Sequence, residues 1–345
     1  MRVGTARAAA VRWVAAHARS VPGYRGAYFS GSTVGRADDA ELAASSDVDV
    51  VVVTEDEDPP VKPGKLRYGG ALLEISYVPW AELRDAETVL SSYHLAGSFR
   101  VDTVIDDPTG GLRALYADLS PRFAEREWVR RRCLDARRRV EGRLAAFDGT
   151  APFHEQVPAW MFPTGVTTHV LLVAALRNPT VRLRYPAARE VLTAYGRPRL
   201  YRELLELLGC ADVSAEVVRH HVGEMTRTFD ATVPVARTPF FFSSDLTERA
   251  RPIAVDGSRE LIDRGEHREA VFWIVATLAR CHTVLAVDDP ALHTARLPAF
   301  EAAVADLTGI TGTADILERR EEVIRFLPGL WAVAEDILAA NPDIT

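Results

Sequence analysis

Lysine is nearly absent from this chain: Lys62 and Lys65 are the only two, and arginine supplies the rest of the 41 basic residues. That bias is compositional and assigns no function by itself. Cysteine is also scarce. Cys133, Cys210 and Cys281 are odd in number and far apart, which excludes a disulfide framework or a zinc ribbon and points to a reducing, cytoplasmic setting. Positive charge is in deficit, with 41 basic residues against 48 acidic ones and a formal net charge of −7. The whole molecule therefore lacks the field that nonspecific binding to a polyanion requires, and a long nucleic-acid substrate is disfavoured. Long hydrophobic runs are missing as well. No stretch reads as the roughly 18 to 20 apolar residues needed to cross a bilayer. The segment Met1 to Ser20 is broken by Arg7, Arg12, His17 and Arg19, unlike the apolar region of a secretory signal. Internal repeats and low-complexity tracts are absent too.

What is present fits a globular protein: 48% hydrophobic and 26% charged residues over 345 positions. Single cores tend to divide beyond roughly 250 residues, so two domains are expected. Apolar residues at helical spacing predict a first helix over Thr5 to Ser20, stopped by Val21-Pro22-Gly23. Three β-like runs follow, Gly26 to Ser30, Val48 to Val53 and Ala71 to Val78, the last two separated by a Pro59-Pro60…Pro63-Gly64 loop. After the turn cluster Asp107-Pro108-Thr109-Gly110 the periodicity is helical. Helices are predicted over Leu112 to Leu119, Glu127 to Phe147, Gly165 to Leu176, Ala187 to Ala194, Arg199 to Leu208 and Ser214 to Phe229. Others are predicted over Ser258 to Ala286, Pro298 to Leu307, Ala314 to Phe326 and Leu330 to Ala340. The expected fold class is α+β, with a mixed-sheet domain over 1–110 followed by an all-α helical bundle over 111–345.

The chemistry-bearing residues gather in the first of these. Tyr28-Phe29-Ser30-Gly31-Ser32 is an apolar strand running into a Gly-Ser pair, where the glycine permits close backbone approach and Ser32 offers a hydroxyl and an N–H to a phosphate oxygen. Taken alone, such a pair is most often a plain turn. In Ser46-Asp47-Val48-Asp49-Val50 two aspartates alternate with valine at the head of a β-branched run. The side-chain period of a strand is two, so Asp47 and Asp49 share one face. Two like charges there repel, and a divalent cation between them explains the arrangement better than an exposed strand end does. Glu74 stands alone among apolar neighbours in Leu72-Leu73-Glu74-Ile75, and joins the aspartates if its strand pairs beside theirs. Arg36 and Arg67 lie near in sequence and could neutralise phosphate, although either fits a solvated surface equally well.

An apolar strand, Gly-Ser, Asp-x-Asp and a later strand bearing a third acid resemble the signature of the DNA polymerase β-like nucleotidyltransferase superfamily. The resemblance covers residues 24–80 most closely, with a longer stretch between Thr33 and Ser46 than compact members have. It implies that the first domain is a nucleotidyltransferase catalytic domain using two Mg²⁺ ions and ATP or another NTP. By position it implies that Gly31 and Ser32 bind the nucleotide, with Arg36 added as a nucleotide-binding candidate from its nearness in sequence, and that Asp47, Asp49 and Glu74 are the catalytic, metal-binding carboxylates. Glu74 would either help bind the second ion or accept the proton of an acceptor hydroxyl. The segment Leu261 to Trp273 is similar to a helix-turn-helix of helical domains attached to small-molecule members, so the helical domain would bind the acceptor or serve an interaction. An aminoglycoside, a lincosamide or a related metabolite is the acceptor this suggests, on a chain that could form a homodimer.

Two rival readings remain. One keeps the chemistry and makes a protein or a tRNA the acceptor, with Arg130-Arg131-Arg132 and Arg137-Arg138-Arg139 as the basic patch. The other is a catalytically idle binding module of the same fold, which the retained carboxylates argue against. His220-His221, His267 and Cys281-His282 lack any complete metal-ligand spacing. The irregular stretch Val233 to Asp256, with Phe240 to Phe242 and Asp245, is long enough for a functional loop.

Overall fold

The structure, a computed structural model, describes residues 1–56 and 62–345; Pro59 and Pro60 of the expected loop lie outside the described residues. The chain divides into two compact units. The first comprises 1–135, 176–180 and 341–345, and the second 136–175 and 181–340. The division thus falls 25 residues past the expected one after 110, and two short distal segments join the first unit.

In the first unit, α1 (Val3–His17) precedes β1 (Tyr24–Ser30), β2 (Val48–Thr54), β3 (Gly64–Tyr68) and β4 (Ala71–Pro79). Then come α2 (Ala86–Ser91), β5 (Val104–Asp106), α3 (Gly111–Arg122) and the first half of α4 (Arg126–Ala145). The strands form one mixed sheet in the order β3-β4-β2-β1-β5, in which β2 and β4 are parallel and every other pair is antiparallel. The β3–β4 hairpin turns through Gly69 and Gly70, with φ of +55° and +83°. Positive φ at both central residues is what the twist of a two-residue hairpin demands.

The all-valine stretch of β2 is explained by burial on both sides. Val48, Val50 and Val52 face α1, meeting its apolar stripe Val3, Ala6, Ala10, Trp13 and Val14 together with Leu73 and Ile75. Val51 and Val53 face the other way, into Tyr28, Leu83, Leu90, Phe99, Leu112 and Trp128. A strand buried on both faces reads as a continuous apolar run, which is how a period of two came to be hidden beyond Asp49. β3 and β5 were not expected from the sequence: each is short, and β3 carries Lys65 and Arg67 at alternate positions.

The second unit is all helix. After the end of α4 it contains α5 (Phe153–Ala174), α6 (Arg184–Ala194), α7 (Pro198–Leu208), α8 (Ala215–Thr232), a π-helical turn Pro252–Asp256, α9 (Gly257–Asp263), α10 (His267–Asp288), α11 (Pro290–Thr308) and α12 (Thr313–Ala340). α5 packs on α6, α10 and α12, and α10 on α8, α9 and α11. Two prolines that suggest breaks sit inside helices instead: Pro328 within one continuous α12 and Pro298 within α11. α5 likewise starts before Pro158 and Pro163, well ahead of Gly165. An interior proline costs about 3 kcal/mol, and burial of the surrounding apolar positions outweighs it here. In contrast, the stretch expected as one helix over Ser258 to Ala286 is broken between α9 and α10 at Gly265 (φ +80°), the break seen in the helix-turn-helix pattern.

α5 and α10 correct one further expectation, because each is by length and composition apolar enough to cross a membrane. Their most apolar windows are 83% and 78% buried inside the structure. A helix surrounded by others is apolar all round, so it passes the same test as a membrane span.

Burial of histidine in this unit has a consequence for pH. The His282 Nδ1 lies 3.2 Å from His293 Nδ1, and His154 packs against the His293 ring. Burial, reinforced by His293, pushes His154 down to about 4 and His282 to about 3. An unfolded histidine titrates near 6.5, so between that value and the folded values the unfolded chain binds protons that the native one refuses. Stability therefore falls as pH drops from 7 to 5. The urea midpoint should decline over that interval, and decline less in a chain carrying His154→Gln and His282→Gln; parallel curves for the two chains would contradict the assignment.

Candidate metal centre

Cross-strand register assembles the centre. Asp49 lies opposite Ser30 of β1 and opposite Glu74 of β4, and Glu74 lies opposite Lys65 of β3. Residues in one such row point to the same face, so four adjacent strands present a serine, two acids and a lysine side by side. Asp47, two residues before Asp49, adds a third carboxylate. One oxygen from each of Asp47, Asp49 and Glu74 lies within 4.8 Å of the others, and among the described residues this is the one group of acids, histidines or cysteines so arranged.

Gly31 closes the row. It begins a single 3₁₀ turn, Gly31–Thr33, with φ of +68°. A Cβ built on it would come within 1.9 Å of Asp49 Oδ2, so no side chain larger than hydrogen fits beside that carboxylate. Ser32 is exposed in the turn. Arg36 is directed elsewhere, donating to the Glu41 carbonyl at 2.6 Å. Arg67 is exposed on β3.

Distal residues hold the turn in place. Asn178 Nδ2 donates to the Gly31 carbonyl at 3.2 Å, and Arg100 donates to the carbonyls of Val34 at 2.9 Å and Leu176 at 3.3 Å. Asn178-Pro179, which reads in the sequence as punctuation between helices, is thus a brace for the Gly-Ser turn. Only folding brings it there, across an interval of 147 residues.

The electrostatics are uneven. Burial, then the neighbouring charges of Asp47 and Glu74, holds the Asp49 carboxyl well above its ordinary value. Burial and Glu74 also raise Asp47, against the pull of Lys65. Burial would raise Glu74 too, but Lys65 and Lys62 overcome it and keep this carboxyl below the usual range. Lys65 hydrogen-bonds Glu74 and stands 3.3 Å from Asp47 Oδ2, while Lys62 is 3.1 Å from Glu74 Oε1. The sequence reading missed both lysines. Their signal was present, since the chain's two lysines fall between Asp49 and Glu74.

The donor set suits a hard divalent cation: oxygen ligands alone, converging, with one carboxyl left without an ion-pair partner among the described residues. The other sequence candidates are not part of it. Arg132 of the expected basic patch is buried and donates to the carbonyls of Leu90 at 3.0 Å and Phe123 at 2.6 Å. His221 bonds Asp306 at 2.9 Å, and His267 bonds the Val213 carbonyl at 3.1 Å. Phe272 and Trp273 are buried, with Arg184 over the Phe272 ring at 4.0 Å. In the long loop Phe240 stacks on Phe242, Phe241 is exposed, and Asp245 pairs with Arg280 at 2.8 Å.

No protein-family model, curated protein or solved structure matches this chain.

The raised Asp49 sets a sign for metal and pH. A carboxyl whose folded pKa exceeds its unfolded one penalises the native state as pH rises through that interval, and a bound cation removes the penalty by favouring the charged form. The gain in melting temperature on adding Mg²⁺ in place of EDTA should therefore widen from pH 5 to pH 8, and be absent in Asp49→Asn. A gain that narrows with pH, or persists in that variant, would place the cation elsewhere.

Proposed function

We propose that this chain is a metal-dependent nucleotidyltransferase that moves a nucleoside monophosphate, AMP from ATP in the simplest case, to a hydroxyl of a small molecule. The observation that carries this reading is the convergence of Asp47, Asp49 and Glu74 within 4.8 Å beside a glycine turn that admits no Cβ. The resemblance in the strand, Gly-Ser, Asp-x-Asp and third-acid pattern supports it.

In the reaction the acceptor oxygen bonds to the α-phosphorus, the bond from that phosphorus to the bridging oxygen breaks, pyrophosphate leaves, and the hydroxyl proton passes to a base. Mg²⁺ held by Asp47 and Asp49 beside Glu74 would supply neutralisation of phosphate charge and polarisation of the reacting oxygens. Gly31 gives the triphosphate close access to the backbone, and Ser32 offers its hydroxyl and N–H to a phosphate oxygen. Of the two roles open to Glu74, holding charge is the better suited: its paired carboxyl, kept below the usual range, is a poor proton acceptor at neutral pH.

An aminoglycoside, a lincosamide or a related metabolite is the acceptor this proposal favours. A tRNA acceptor is disfavoured by the net charge of −7. The test is pyrophosphate release across the four NTPs with a panel of hydroxylated antibiotics, metabolites and tRNA. Asp47→Asn and Asp49→Asn should each reduce release by about a hundredfold or more. Release that survives in both variants would refute the assignment.

A further inference from the structure

Both lysines of the chain end on Glu74. Lys65 bonds Glu74 Oε2 and reaches Asp47 Oδ2 at 3.3 Å, while Lys62 lies 3.1 Å from Glu74 Oε1. The two oxygens of Glu74 are therefore each engaged by an ammonium group. The Lys65 side chain is 5% exposed, and its Cα is fixed opposite Glu74 by the β3–β4 ladder. It cannot withdraw into water without leaving the strand, and withdrawal into the core would bury an uncompensated charge. A divalent cation on the oxygens of Glu74 would sit beside both ammonium groups, and the repulsion between cations disfavours it there. Asp49 differs. It has no ion pair among the described residues, and its Oδ2 faces the bare Cα of Gly31.

We infer that Lys65 is a built-in cation standing where a second metal ion would bind, so that the nucleotide-free chain takes one divalent cation, through Asp47 and Asp49. This deepens the proposed function and rests on the metal centre assumed there. Lys65 is then a positioning residue: it holds Glu74 and Oδ2 of Asp47, and leaves the remaining oxygens of the aspartates to the ion. Lys62, with a side chain 32% exposed, contributes less to this hold.

The experiment is a titration of the nucleotide-free full chain with Mn²⁺ alone, counting bound ions from the electron paramagnetic resonance of free Mn²⁺. Wild type should bind one ion. Lys65→Met, which keeps the length of the side chain and removes its charge, should bind two, and Lys62→Met one. Circular dichroism verifies that each variant is folded. Glu74→Gln should retain one ion with affinity close to wild type, because Glu74 does not ligate in the resting centre. A count of two in wild type overturns the inference, as does a count of one in folded Lys65→Met. Loss of binding in Glu74→Gln overturns it equally, and decides the matter should Lys65→Met not fold. A wild-type count of zero is a separate result: it removes the metal centre itself, and the inference with it.

Discussion

Three carboxylates and one ammonium, crowded onto one face of a sheet, are the constraint around which the first unit is arranged. Like charges a few ångströms apart in a partly buried site repel strongly, and burial alone pushes each acid toward its neutral form. Lys65 relieves this for Glu74 and in part for Asp47. Asp49 remains the acid with burial and two neighbouring charges against it. A fold that carries such a residue in its core sheet has a site that could hold an external cation.

That packing supplies the precision. β2 is clamped between α1 on one face and the Tyr28, Phe99 and Trp128 cluster on the other, so a one-residue slip would turn Asp49 into the apolar core against α1. Parallel pairing of β2 with β4 fixes Glu74 beside Asp49, and the Gly69-Gly70 turn fixes Lys65 opposite Glu74. Asn178 and Arg100 hold the glycine turn from outside the sheet. Each side chain of the candidate site is thus placed by a backbone that has another reason to be where it is.

Much of this was legible in the sequence because strand periodicity and acid placement are local. Asp47 and Asp49 share a face by spacing alone, Glu74 stands out among apolar neighbours, and Gly31 permits close backbone approach. Pairing was not legible. Lys65 acquires its meaning only from the β3–β4 register, on a short strand with a single large apolar residue, Leu66, between two basic ones. Asn178 acquires its meaning only from a contact across 147 residues. Arg36, attractive by proximity, turns to the Glu41 carbonyl instead. In the helical unit prolines such as Pro158 and Pro328 read as breaks, while tertiary burial of their neighbours carried the helices through them. The stretch read as one helix over Ser258 to Ala286 breaks instead at Gly265.

The central claim is that Asp47 and Asp49 grip a divalent cation beside Gly31. Anomalous diffraction from crystals of the chain equilibrated with Mn²⁺ tests it directly. The account predicts a peak bonded to oxygens of both aspartates, with the Lys65 ammonium still on Glu74. A well-ordered centre with no peak there, or a peak bonded to neither aspartate, would contradict it.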